Sequence, residues 1–170
     1  GYNGGDGVVL LSASHPTQNG NQSNVLATAA DLSETSLESI LINISDMKDD
    51  RGLRIAAQGT QLIIPTAYQF VAERLLESQL RTGTADNDIN AIKAGGYLPK
   101  GYTIMRRLTD ADAFFVQTDV PDGLKHFTRS AMKKGMEGDF ETGNIRYKVR
   151  ERYSFGHTDW RGVFGTEGAA

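Results

Sequence analysis

The chain has 170 residues, 39% hydrophobic and 23% charged, a composition that fits a globular protein with one ordinary core or two small lobes. Cysteine is absent, which excludes a disulfide framework and a thiolate zinc site, and no apolar run reaches the roughly 18 residues of a membrane span. The net charge of −3 is unevenly spread: residues 125–152 hold eight Lys/Arg against four Asp/Glu, and the remainder holds ten against seventeen, which suits nucleic-acid contact or subunits that dock opposite charges.

The chain begins at Gly1 without a methionine or a visible signal peptide, and "GYNGGDG" reads as the tip of a loop, so the sequence is expected to be the C-terminal part of a longer chain. Val8 to Leu11 reads as a short strand. In "LLSASHPT" the residues Ser12, Ser14 and His15 lie close along the chain, but a nucleophile and its base must be brought together by a fold, and no G-x-S-x-G surrounds either serine. His15 precedes Pro16, which pushes it out of the α region, so extended chain enters the loop "TQNGNQSN".

A long helix follows. Ser33 is its N-cap, Leu32 and Leu37 are placed for a hydrophobic staple, and Glu34 favours the helix dipole. Leu37, Ile40, Leu41, Ile44 and Met47 recur at helical spacing, and Gly52 is the expected stop, giving a rod of about 18 residues and roughly 27 Å over Ser33–Asp50. "TQLIIP" is a strand. Pro65-Thr66 then opens a helix through Ser78, with Ala67, Phe70, Val71 and Leu75 on one face. After the polar "RTGTADNDIN", a short helix is predicted near Ile89 to Ala94, capped by Asp86 or Asn87 and closed by Gly95-Gly96.

Strands dominate the rest: "YTIMRRL", "AFFVQTD" and "GLKHFTRS", then a hairpin at "GMEGDFETGN". "NIRYKVRERYSF" alternates, with Ile145, Tyr147, Val149, Tyr153 and Phe155 on one face and Arg146, Lys148, Arg150 and Arg152 on the other, the pattern of a half-buried strand broken only by Glu151 on the apolar side. The stripe of Leu37, Ile40, Leu41 and Ile44 is expected to pack on the sheet containing Ile145, Tyr147 and Val149.

Chemical motifs are sparse. His15, His126 and His157 have no metal-ligand spacing, and "DNDIN" departs from a calcium loop where glycine and glutamate are required, at Ala91 and Tyr97. No phosphate-binding glycine motif is present, so neither a metal nor a cofactor is expected. His157 and Asp159 could do acid–base work, but no nucleophile accompanies them; the blander reading has both satisfying backbone groups while Trp160 packs. The basic face is the anomaly. Four like charges on one strand need compensation, from solvent, phosphates or acidic residues of a neighbouring subunit.

The order of these elements, "LLSASHPT", a capped helix, "QLIIPTAYQFVAERLLES", "YLPKGYTIMRRLTDADAFFVQTDVPDGLKHF" and a basic strand ending in "ERYSFGHTDWRGVFG", resembles the C-terminal part of a major capsid protein of tailed bacteriophages, the Mu-like head-subunit group with the Hong Kong 97-like fold. The resemblance implies an α+β fold with a long spine helix, a peripheral β-sheet and a mixed α/β axial domain. Residues 1–16 would be the end of an extended loop, 17–56 the peripheral domain with its spine helix, 57–142 the axial domain and 143–170 the return to the peripheral domain. It implies no enzyme but a structural subunit of the virion, forming hexamers and pentamers of an icosahedral head around double-stranded DNA. Assembly would take place in the host cytoplasm with scaffold, portal or decoration proteins as further partners, and no membrane. Arg146, Lys148, Arg150 and Arg152 are the subunit-interface candidates, and His15 is a junction residue where the loop re-enters the subunit. Some family members cross-link subunits through a loop lysine and an asparagine, with a catalytic glutamate on the last long strand. The lysine is absent here and Arg150, with Glu151 beside it, resembles the glutamate position, so no cross-linking is expected. Two alternatives stand beside this: a nucleic-acid-binding domain using residues 146–152, or a hydrolase using His157 and Asp159.

Overall fold

The computed structural model describes residues 2–81 and 88–169. The N-terminal segment holds one short antiparallel hairpin, β1 (His15–Thr17) against β2 (Gly20–Gln22). The strand expected at Val8 to Leu11 does not form: Val9 makes a single bridge to Asn3. Helix α1 (Glu34–Ser45) starts as expected, with Ser33 accepting from the Ser36 N–H and the Ser36 hydroxyl accepting from the Ser33 N–H. It stops early. Asp46 ends a helix of 12 residues, about 18 Å long, because Asp49 builds a competing turn. Its carboxylate accepts from the N–H groups of Arg51 and Leu53, and its own N–H donates to the Leu53 carbonyl. Gly52 does take a positive φ of 88°, but inside this turn and not at the helix end.

Strand β3 (Gly59–Ile64) leads through a 3-10 turn at Thr66–Tyr68 into α2 (Gln69–Glu77). The expected apolar face is rotated: Val71, Ala72, Leu75 and Leu76 turn inward, while Phe70 is exposed. A 3-10 start advances about 20° more per residue than an α-helix, which takes Ala67, in the 3-10 turn, out of phase with Val71 and Leu75. Helix α3 (Ala91–Gly95) is capped by Asn90, whose carbonyl oxygen accepts from the N–H groups of Ile92 and Lys93; Asp86 and Asn87, the expected caps, lie outside the described residues. Gly96 closes α3 in the left-handed conformation, as its sequence position predicts.

The remaining strands are β4 (Tyr102–Ile104), β5 (Phe114–Thr118), β6 (Leu124–Gly138), β7 (Ile145–His157) and, after a 3-10 turn at Trp160–Gly162, β8 (Val163–Thr166). One four-stranded sheet runs β4-β3-β5-β8, with only the β3–β4 pair parallel. Leu62, Val116 and Phe164 stand opposite one another in its register and form a row across its buried face. Against that face lie Leu37, Ile40, Leu41 and Ile44 of α1. The stripe is therefore buried as expected, but on β3, β5 and β8 and not on Ile145, Tyr147 and Val149. Gly59 permits the close approach, since a Cβ there would lie 2.8 Å from Leu41 Cδ2. The fold is mixed α and β, and among the described residues no helix is long and apolar enough to cross a membrane.

Candidate interaction surface

The local positive charge of the sequence is gathered on one object. Among the described residues strands β6 and β7 pair only with each other, as a long antiparallel hairpin whose residues are mostly exposed. Residues opposite one another in a pair share a face, so Arg146, Lys148, Arg150 and Arg152 of β7 stand with Glu137, Gly135, Lys133 and Ser130 of β6. All four predicted residues are thus brought together on one exposed face. Among the described residues only Arg146 of the four has an ion-pair partner, Asp139 at 3.9 Å.

The other face carries Ile145, Tyr147, Val149, Tyr153 and Phe155, joined by Met136 and His126 of β6. Alternation along β7 is as read from the sequence, but the expected half-burial is absent within one chain: exposure along these five side chains runs from 54% to 75%. The reason is simple: the α1 stripe, their expected partner, is already covered by the four-stranded sheet. His126 packs beside Tyr153 and Phe155, with ring centroids 5.4 and 5.0 Å away. Glu151 of β7 and Lys134, opposite Val149, interrupt this face, but so many exposed apolar side chains on a two-stranded ribbon are unusual, because monomeric proteins seldom expose more than a few hundred Å² of contiguous apolar surface. At the hairpin base this face runs into a groove of about 800 Å³ walled by Tyr2, Leu10, Leu11, Leu124 and Phe155.

The residues considered for hydrolysis do not form a site. Asp159 accepts from the Arg161 N–H, capping the 3-10 turn, and its carboxylate lies 3.4 Å from the Arg161 guanidinium. His157 lies at the groove, edge-on to Tyr2, and its buried Nε2 has no hydrogen-bond partner among the described residues. It does not satisfy a backbone group as the sequence suggested. Trp160 does pack, being buried beside His15 and Arg161. Among the described residues no group of three or more His, Asp or Glu side chains could hold a metal ion.

His15 anchors a network that the sequence does not display. The ring is completely buried, stacked on Trp160 with centroids 4.3 Å apart and planes 4° from parallel. Nδ1 lies 2.6 Å from Asp6 Oδ2, and Nε2 is hydrogen-bonded to Asn24 Oδ1 at 3.1 Å. Asn24 cannot be turned over: its oxygen also accepts from the Ser12 N–H, and its amide nitrogen faces the carbonyls of Leu10, Trp160 and Val163. The network ties residues 6–24 to the stretch around Trp160 and Val163. Asn24 sits in a polar loop sequence with no motif to distinguish it from its neighbours.

Partial burial raises the Asp6 carboxyl, but the His15 hydrogen bond, the Val8 N–H and the charge of His15 together hold it below its ordinary value of 3.8. A depressed carboxyl stabilises the fold above its unfolded-state pKa, and that contribution disappears as pH falls through the folded value. Thermal midpoints are therefore expected to stay level above pH 5 and to drop below about 3.8, and Asp6→Asn should remove part of that drop. An unchanged acid limb in the variant would assign the drop to other carboxylates.

With this geometry in place, the chain can be set beside known proteins. A family described as phage capsid protein matches residues 1–165. Among curated proteins the comparison finds no match. Among solved structures the chain is similar to a virus-like particle from Pyrococcus furiosus, at 11% identity and a TM-score of 0.47 over 84% of this chain and 55% of that one. It is also similar to a chain of Mycobacterium phage Che8, at 16% identity and a TM-score of 0.45 over 83% of this chain and 52% of the other. The chain thus spans about half the length of the solved structures it matches.

Proposed function

The chain belongs to the phage capsid protein family, and from that premise we propose that it self-associates into the head shell through the β6–β7 hairpin. The family's role is structural, and its place is the virion. The observation that carries the proposal is the hairpin itself, which is mainly apolar on one side, mainly basic on the other and exposed on both. A ribbon of two strands is marginally stable alone, and a neighbouring copy supplies what covers it. The charge balance supports this: the hairpin region has an excess of Lys/Arg while the rest of the chain has an excess of Asp/Glu, so copies attract when one hairpin lies on another body.

In its finer form the proposal is a Mu-like head subunit with a Hong Kong 97-like fold, forming hexamers and pentamers around double-stranded DNA after assembly in the host cytoplasm. Scaffold, portal or decoration proteins would be its other partners. The proposed division of the chain keeps residues 1–16 as the end of an extended loop, 17–56 and 143–170 as peripheral and 57–142 as axial. These parts would share one core, since β8 pairs with β5 and α1 packs on both. The helix assigned as spine is then the short α1.

Arg150→Glu tests the role of the basic face. Single exposed charges contribute under about 1 kcal/mol to folding, so the thermal midpoint should hardly move. At a repeated interface, like charges brought together cost several kcal/mol at each contact. Light scattering and micrographs are expected to show folded subunits that fail to close into shells, most clearly at low salt. Normal assembly with lost affinity for DNA would instead make this the face that meets the genome.

A further inference from the structure

Phe140, at the tip of the β6–β7 hairpin, is fully exposed at 102%. The turn that presents it is well built. The Asp139 N–H donates to the Asn144 carbonyl at 2.8 Å, and the Gly143 N–H donates to the Asp139 carbonyl at 2.9 Å. The Asp139 carboxylate accepts from the Thr142 hydroxyl and the Glu141 N–H. A phenyl ring held outward by an ordered turn is a preformed knob. Glu137, Asp139 and Glu141 surround it in sequence, and no Lys or Arg falls between residues 137 and 141.

The groove at the hairpin base offers an apolar lining of matching size. Its walls are apolar, its volume of about 800 Å³ accommodates an aromatic side chain, and its lining includes Lys125 but no carboxylate. Lys125 pairs with Asp122 of its own chain. The knob cannot enter the groove of its own chain: the 15 residues of β6 hold the two ends roughly 45 Å apart. Only another molecule can bring them together.

We propose that Phe140 of one copy seats in the groove lined by Tyr2, Leu10, Leu11, Leu124 and Phe155 of a second copy. The contact joins different surfaces of the two copies, so it repeats from one subunit to the next and closes into a ring when the rotation permits. It lays the basic shaft of each hairpin along the acidic body of its neighbour, and it continues the apolar face of the hairpin into the groove. The inference rests on the self-association proposed above and names its point of contact.

The absence of cysteine makes the test clean. Phe140→Cys and Val9→Cys, the second at an exposed position beside the groove, are prepared separately, mixed in equal amounts and mildly oxidised. The expected product is the mixed disulfide, well above the proportion that random collision gives. In parallel, Phe140→Ala should lower the mass of the assemblies measured by light scattering while leaving the thermal midpoint unchanged. Disulfides between two tips, a random distribution, or wild-type assembly by Phe140→Ala would each overturn the groove assignment while leaving self-association standing. A parent chain that stays monomeric at every concentration, with no cross-linking, overturns self-association and the groove contact together.

Discussion

Phe114→Ala is expected to lower the stability of the protein by about 3–5 kcal/mol, whereas Phe140→Ala should leave it untouched. Phe114 lies in β5, an interior strand of the four-stranded sheet, and has no exposed surface. Truncating a fully buried phenylalanine costs about 3–5 kcal/mol, from lost transfer energy and from the cavity left behind. Domains of this size are stable by only about 5–15 kcal/mol in total, so one such loss removes a large share. Collapse of neighbours into the hole is limited here, because the sheet's backbone pairing holds β3 and β8 on either side. Urea unfolding would measure the effect as a lower midpoint at unchanged slope. A shift under about 1 kcal/mol would mean that the sheet and α1 repack freely, contrary to the core described here.

The second large effect is expected at Asn24, a polar residue. Asn24→Ala leaves the His15 Nε2–H, the Ser12 N–H and the carbonyls of Leu10, Trp160 and Val163 without this partner. Each buried group left unsatisfied costs about 1–3 kcal/mol, so the loss of even two brings the penalty to roughly 2–6 kcal/mol. Asn24→Asp keeps the shape but sets a carboxylate oxygen against three carbonyl oxygens, and should be at least as damaging. The protein supplies its own reporter. Its single tryptophan, Trp160, stacks on His15, so its fluorescence should change in step with the loss of stability. Wild-type stability in both variants would show that water replaces the amide without penalty and that the network is dispensable.

Much of the local structure was legible because its causes are local. Ser33 caps α1 through a residue three positions away, Gly96 ends α3 by its own φ, and Asp139 to Asn144 turn the chain within six residues. The basic face was legible for the same reason: a period of two assigns Arg146, Lys148, Arg150 and Arg152 to one side of a strand whatever surrounds it. Boundaries were less so. The end of α1 depends on a competition between continuing the helix and the Asp49 turn, and the face of α2 depends on a three-residue start of different pitch.

What the sequence by itself determined is therefore which side chains share a face and where the chain turns. Only the tertiary structure decided what each face meets. Two apolar surfaces, on α1 and on β7, had matching patterns, yet α1 took the four-stranded sheet because Leu62, Val116 and Phe164 form a continuous row there and Gly59 lets the helix approach. That left the apolar side chains of β7 exposed, which is the basis of the proposed contact with another copy. Likewise, nothing in the spacing of Asp6, His15, Asn24 and Trp160 announces a network, since Asn24 and Trp160 stand 136 residues apart. Periodicity is a property of one segment, but burial is a relation between segments, and that relation exists only once the chain has folded.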